Sequence, residues 1–129
     1  PMLLIKAVAP AMRRQGGGRI VNITSVAGFQ PQGSSIAYAV SKAGLNHLTK
    51  CMAVALAPDI LVNGVAPGLM EGTRMTERLT AEHVKRATAN SLLGKAASKE
   101  DIAAQVVVMC QTETMTGQTA VIDSGRVFH

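Results

Sequence analysis

Three short segments of almost uninterrupted apolar character constrain the fold most strongly. Residues 19–24 read RIVNIT, residues 60–66 read ILVNGVA, and residues 119–122 read TAVI. Strands without a regular alternation of polar and apolar residues are covered on both faces, which is typical of parallel sheets. The sequence therefore predicts a parallel sheet with helices packed on both of its sides.

Helical periodicity fills the intervals between these strands. In residues 2–15 the apolar side chains fall on one helical face, and Pro10 is expected to kink this helix because it has no amide hydrogen. Further helices are predicted over residues 36–56, 80–91 and 98–110. The order helix, strand, helix, strand, helix, helix, strand predicts an α/β fold.

The predicted helices begin at capping residues. Ser34 or Ser35 can cap the long second helix, and Ser98 with Asp101 three residues later forms a capping pair for the last helix. Apolar residues at helical spacing predict the core face of the long helix as Leu45, Leu48, Met52 and Leu56.

Composition excludes several classes of protein. A chain of 129 residues with 47% hydrophobic and 16% charged residues is expected to fold around one core. Its longest apolar runs are too short for a bilayer span. The net charge is +5, but the basic residues are scattered and only three aromatic residues are present, so nucleic-acid binding is not expected.

The cysteines and histidines predict no disulfide and no metal site. Cys51 and Cys110 stand alone in apolar stretches, which indicates buried thiols in a reducing compartment and hence the cytoplasm. The three histidines have no spacing that is typical of metal ligands.

Tyr38 and Lys42 carry the most specific chemical signal. They lie four residues apart in a predicted helix, so both side chains leave the same face one turn apart. An ammonium about 4 Å from a phenolate stabilises it by roughly 4 kcal/mol at an effective dielectric constant of about 20, which is enough for acid–base catalysis. Ser25 follows the first strand, at the edge where open parallel sheets place their active sites. Each of these residues also has an ordinary structural interpretation, as a helical pair and as a serine in a turn.

Three segments, two of which contain these residues, resemble the catalytic half of a short-chain dehydrogenase/reductase. They are GRIVNITSVAG at residues 18–28, YAVSKAG at residues 38–44 and VNGVAPG at residues 62–68. The resemblance, which is to members similar to 3-oxoacyl-[acyl-carrier-protein] reductases, implies a Rossmann-type doubly wound sheet. It also implies hydride transfer between NAD or NADP and a carbonyl or alcohol.

The same resemblance implies a role for each matching residue. Tyr38 would be the general acid–base, Lys42 would stabilise its phenolate and hold the nicotinamide ribose, and Ser25 would polarise the substrate oxygen. The cofactor would meet Tyr38 as well, together with Pro67, Gly68, Leu69 and Thr73, although relatives often carry this threonine one residue earlier. Substrate selection would fall to residues 69–91.

Departures from the family pattern imply that residues 1–129 are part of a Rossmann-like domain. The strand and Gly-rich turn that hold the adenine side of the cofactor have no counterpart here. Residues 16–18, GGG, precede a strand and therefore cannot replace that turn, which must open a helix. Ser124 also replaces a glycine that many relatives carry. The chain alone is therefore expected to be inactive.

Two other functions remain open at this stage. The chain could be a non-catalytic assembly module, or it could perform sugar-nucleotide epimerase or dehydratase chemistry with the same Tyr and Lys pair. The resemblance further implies a small carbonyl or alcohol substrate. It implies a homodimer or homotetramer formed through the helices of residues 2–15 and 36–56.

Overall fold

Three parallel strands form the centre of the structure. The computed structural model describes residues 1–73, 76–77 and 79–128, so that Met75 of the segment after the second strand and the terminal His129 lie outside it. Its elements are α1 (Met2–Arg14), β1 (Gly18–Ile23), a 3₁₀ helix (Val26–Gly28), α2 (Ile36–Leu56), β2 (Ile60–Pro67), α3 (Ala81–Ala89), α4 (Lys99–Gln111) and β3 (Thr119–Ile122). Each predicted helix and strand is confirmed to within two residues at either end.

The sheet has the order β1-β2-β3. Gly18 lies opposite Ile60 in the parallel pairing of β1 with β2, and Pro67 lies opposite Ile122 in the parallel pairing of β2 with β3. All three strands therefore run the same way and end at the same edge of the sheet. Ser25 and the turn from Pro67 to Leu69, which the sequence predicts to be functional, lie at that edge.

Two separate hydrophobic clusters show that helices cover both faces of the sheet. Ile60 and Val62 pack with residues of α1 and α2, whereas Val65 packs with residues of α4. Successive residues of a strand point to opposite faces, so the even and odd positions of β2 serve different clusters. The predicted three-layer α/β/α arrangement is confirmed. In the described part of the chain, no helix has the length and hydropathy needed to span a membrane.

The core face of α2 differs from the predicted one. Leu56 is buried, but Leu45, Leu48 and Met52 are only half-buried, and the fully buried positions are instead Asn46, Thr49 and Ala53. Each of these follows a predicted core residue by one position, which corresponds to a rotation of about 100°.

A polar contact between α2 and the sheet explains this rotation. The Asn22 side-chain amide of β1 donates a hydrogen bond of 3.0 Å to the Thr49 hydroxyl, which in turn donates to the Leu45 carbonyl at 2.9 Å. Because a buried amide needs a partner, the helix presents its polar residue to the strand.

The predicted burial of both cysteines is wrong. Cys51 and Cys110 are unpaired thiols, as expected, but both are exposed. The neighbour of Cys110, Met109, is fully buried against the sheet, so Cys110 points away from the core by one helical step. The apolar residues around each cysteine wrongly predicted its burial, because α2 and α4 each bury only one face.

Candidate active site

The end of β1 is fixed to β2 by Thr24. Its amide donates to the Val65 carbonyl at 2.7 Å, and its hydroxyl donates to the same carbonyl at 3.2 Å. Thr24 itself is buried. These two bonds hold the chain immediately before Ser25 in one position relative to the neighbouring strand.

Ser25 is buried and presents a free hydroxyl proton. Its side-chain oxygen caps the 3₁₀ helix by accepting a hydrogen bond of 3.2 Å from the Ala27 amide. A serine hydroxyl has one donor and two acceptor positions, so this bond leaves the proton available. Among the described residues no acceptor takes it, and Ser25 can therefore donate to a carbonyl oxygen in the cavity.

Tyr38 and Lys42 lie one turn apart on α2, as the sequence predicts. Ser35 caps the helix by accepting a 3.1 Å hydrogen bond from the Tyr38 amide, which places Tyr38 in the first turn. The Lys42 ammonium lies 5.7 Å from the centre of the Tyr38 ring. It also donates a hydrogen bond of 3.0 Å to the Ile23 carbonyl at the end of β1. The pair is thus anchored to the strand that leads to Ser25.

Gly28 allows α2 to approach this strand end closely. A Cβ atom on Gly28 would lie 2.7 Å from the Lys42 carbonyl carbon and oxygen, and 2.5 Å from the Asn46 side-chain nitrogen. Such distances are too short for any side chain larger than hydrogen. The glycine at this position therefore sets the separation between the Ser25 turn and the helix that carries Lys42.

The end of β2 supplies the opposite wall. A Cβ atom on Gly68 would lie 2.8 Å from the Asp123 Cα atom, so the turn after β2 packs directly on the backbone that follows β3. The Leu69 carbonyl accepts a hydrogen bond of 2.8 Å from the Ala97 amide. These contacts hold the turn formed by Pro67, Gly68 and Leu69 at the edge of the sheet where the strands end.

Thr73 lies near the same edge, and its amide and hydroxyl already have hydrogen-bond partners in nearby residues. Its amide donates to the Thr76 hydroxyl at 3.0 Å, and the two threonine hydroxyls are 2.9 Å apart. A threonine at this position can still accept or donate one further hydrogen bond.

One cavity of about 550 Å³ brings all the predicted site residues together. Its lining includes Ser25, Tyr38, Lys42, Pro67, Gly68, Leu69 and Thr73. Cavities of this size accommodate small-molecule ligands. The sequence-based grouping of these residues at one sheet edge thus agrees with the geometry, whereas their individual roles stay predictions.

Arg126 is a further lining residue that sequence reasoning missed. The buried Asp123 carboxylate places it by accepting hydrogen bonds from the amides of Gly125, Arg126 and Val127 at 2.7 to 3.1 Å. Only an aspartate followed by a tight turn was visible in the sequence, and nothing in it showed that the turn faces the cavity.

Ser124, in the same turn, has a backbone φ of 60°. This left-handed conformation favours glycine. The structure therefore explains why a glycine suits this position.

Comparison with known proteins agrees with the fold. The family model described as enoyl-(acyl carrier protein) reductase matches residues 1–126. The short-chain dehydrogenase/reductase homolog YusR of Bacillus subtilis is 41% identical over 121 residues, covering 94% of this chain and 92% of that protein. The chain belongs to the short-chain dehydrogenase/reductase family.

Other relatives are about twice as long as this chain. The 3-oxoacyl-[acyl-carrier-protein] reductase FabG of Aquifex aeolicus is 39% identical over 88% of this chain, which spans 47% of that protein. The crystal structure of a gluconate 5-dehydrogenase from Burkholderia cenocepacia in complex with NADP and tartrate is 28% identical. It superposes with a TM-score of 0.88 over 95% of this chain and 49% of its own. The chain thus spans about half the length of these relatives.

Proposed function

We propose that the chain supplies the acid–base half of an NAD(P)-dependent oxidoreductase that interconverts a carbonyl and a secondary alcohol. The observation that carries this proposal is the convergence of Ser25, Tyr38 and Lys42 on one cavity. Its membership of an oxidoreductase family supports the same reaction class.

In the reduction, Tyr38 donates its phenolic proton to the carbonyl oxygen. Ser25 donates a hydrogen bond to that oxygen from its uncommitted hydroxyl, and so stabilises the negative charge that develops there. The positive charge of Lys42 stabilises the phenolate left on Tyr38. In the alcohol oxidation the same three residues act in reverse, with the phenolate as the base.

The nicotinamide cofactor supplies the hydride when it is bound, and the residues at the cavity fit such a group. The Lys42 ammonium has three donors and uses one on the Ile23 carbonyl, so two remain for ribose hydroxyls. Pro67, Gly68 and Leu69 would line the nicotinamide, and Thr73 would offer it a hydrogen bond. The NADP in the gluconate 5-dehydrogenase complex supports this class of cofactor, and both NAD and NADP fit these residues.

The adenine side of the cofactor is assigned to a Gly-rich half outside residues 1–129, so that this chain alone is inactive. The turn at Gly16 and Gly17 supports this assignment, because it leads into β1 and not into a helix. A phosphate-binding turn needs the amides of a helix N-terminus.

We further propose homo-oligomerisation through α1 and α2. Leu3 and Leu4 of α1 are 81% and 67% exposed, and Val40 of α2 is 65% exposed. Burying these side chains between copies would remove apolar surface from water.

The two unpaired thiols support a reducing compartment, the cytoplasm.

Replacement of Tyr38 by Phe tests the proposed reaction. The polypeptide that carries both halves is assayed by the oxidation of NADPH or NADH with methyl levulinate, a neutral ketone. The variant keeps the ring beside Lys42 but loses the proton, so the rate is expected to fall by about 10² to 10⁴. Equal turnover by the variant and the parent protein would refute the proposal.

A second measurement separates binding from chemistry. Lys42→Ala is expected to weaken NADPH binding in an equilibrium titration, whereas Tyr38→Phe should leave it close to that of the parent because the Lys42 ammonium is intact. If Lys42→Ala binds the nucleotide as tightly as the parent, the assignment of Lys42 to the cofactor is wrong.

A further inference from the structure

One cationic side chain of the cavity wall takes no part in the proposed reaction. Arg126 lines the same cavity as Ser25 and Tyr38 and is half-buried. Within residues 1–73, 76–77 and 79–128, its guanidinium forms no ion pair and no hydrogen bond. Arg126 therefore adds to the cavity wall a charge that has no partner in the described chain.

The charge balance of the cavity favours an anionic ligand. Lys42 is the other charged residue of the described lining, and the lining includes no aspartate or glutamate. Lys42 donates one hydrogen bond to the Ile23 carbonyl, and its two remaining donors are assigned above to the cofactor ribose. A negative group on a ligand would thus meet attraction from Arg126 and no repulsion from a lining carboxylate.

The backbone around Arg126 is fixed before any ligand arrives. The Asp123 carboxylate accepts hydrogen bonds from the Arg126 amide at 3.1 Å and from the Val127 amide at 2.7 Å. Two carbonyls of the same turn accept from another segment: Ser124 from the Leu93 amide at 3.1 Å and Gly125 from the Leu92 amide at 3.2 Å. The backbone of so well-tethered a turn loses little further conformational freedom on binding.

A guanidinium matches a carboxylate in shape and charge, because its planar fork donates two parallel hydrogen bonds. The single positive charge of Arg126 balances the single negative charge of a carboxylate. A phosphate dianion carries two negative charges, of which one guanidinium balances only one. A carboxylate in the cavity would accept hydrogen bonds from two of the guanidinium donors at once.

We propose that Arg126 binds a carboxylate of the substrate, so that the substrate is an oxo acid or hydroxy acid and not a neutral carbonyl compound. This inference rests on the proposed function, because it takes the cavity to be the substrate site. It makes Arg126 the residue that determines substrate charge.

Equilibrium binding of two matched ketones tests the inference. Levulinate and its methyl ester share the ketone and differ in the carboxylate, and their dissociation constants are measured by calorimetry on the full polypeptide. Levulinate is expected to bind at least about tenfold more tightly, as a charge-assisted hydrogen bond would give. Arg126→Gln should abolish this preference, and Arg126→Lys should retain part of it.

Arg14→Gln is the matched control, because it removes the same charge from an exposed position at the end of α1. It should retain the full preference for levulinate. Equal binding of the acid and the ester by the parent protein, failure of both to bind, or equal loss of preference in the two glutamine variants would overturn the inference. Nicotinamide mononucleotide serves as a phosphate probe. If Arg126→Gln weakens its binding as much as that of levulinate, Arg126 serves the cofactor and the inference fails.

The outcome also distinguishes this inference from the proposed function. Turnover of methyl levulinate that depends on Tyr38, without any preference for the acid, would refute the role of Arg126 alone. A preference for the acid that depends on Arg126, without any Tyr38-dependent oxidation of NADPH, would refute the proposed reaction and leave the carboxylate site in place.

Discussion

Replacing Gly28 by alanine should separate α2 from the end of β1. The new Cβ atom would lie 2.7 Å from the Lys42 carbonyl group, whereas an ordinary contact begins at 3.4 Å. The Asn46 side chain can move aside, but the Lys42 carbonyl is backbone, so the two backbones must move apart by about 0.7 Å. Overpacking of this kind costs about 1 to 3 kcal/mol of unfolding free energy.

The same displacement should lower activity by more than stability alone explains. Lys42 is anchored to the Ile23 carbonyl at 3.0 Å, and a shift of its backbone disturbs both this bond and its position over Tyr38. Misplacement of catalytic groups by about 1 Å can cost 10²-fold in rate. We therefore expect kcat of the polypeptide that carries both halves to fall about 10-fold or more while the protein remains folded.

Gly44→Ala is the control, because it adds the same methyl group to α2. Nothing lies within 4 Å of the Cβ atom that it would introduce, and alanine in a helix is favoured over glycine by about 0.5 to 1 kcal/mol. Urea denaturation followed by circular dichroism measures both variants. If Gly28→Ala is as stable and as active as Gly44→Ala, the close approach at Gly28 does not position Lys42.

Further predictions concern the supports of the site. Asp123→Ala removes the acceptor of three backbone amides, so it should lower the unfolding free energy by about 3 kcal/mol in urea; an unchanged midpoint would contradict this. Ser35→Ala removes the cap of α2 and should cost about 1 kcal/mol in the same assay, whereas Ser34→Ala, beside the cap, should cost less. The pKa of Glu100 is lowered by its own backbone amide and then by the Ser98 hydroxyl. The lowered value means that Glu100 stabilises the fold above the ordinary glutamate pKa of about 4.3. This stabilisation is lost as the pH falls through the lowered pKa. Glu100→Gln should thus reduce the melting temperature at pH 7 and leave it unchanged at about pH 2, and an equal effect at both pH values would refute the assignment.

The sequence was sufficient to predict the helices and strands and their order along the chain. The apolar segments at residues 19–24 and 60–66 predicted strands of a covered parallel sheet, and the spacing of Tyr38 and Lys42 placed both on one helical face. These are local properties, since they depend on periodicity and on capping residues such as Ser35.

Contacts between distant segments could not be predicted in the same way. The rotation of α2 depends on Asn22, which lies 27 residues before its partner Thr49. The position of Arg126 depends on how the turn after β3 meets the cavity. Exposure of Cys110 follows from the side of α4 that faces the sheet, which apolar composition alone does not define.

The double attachment of Thr24 to a single carbonyl of β2 has a mechanical consequence. Its amide and hydroxyl both donate to the Val65 oxygen. The turn that carries Ser25 and the turn that carries Pro67 are therefore attached to the same pair of joined strand ends. A hinge between these two walls would require both bonds to break together. Any widening of the cleft must therefore arise beyond the strand ends, which keeps the Ser25 hydroxyl at a constant distance from the turn at Pro67 and Gly68.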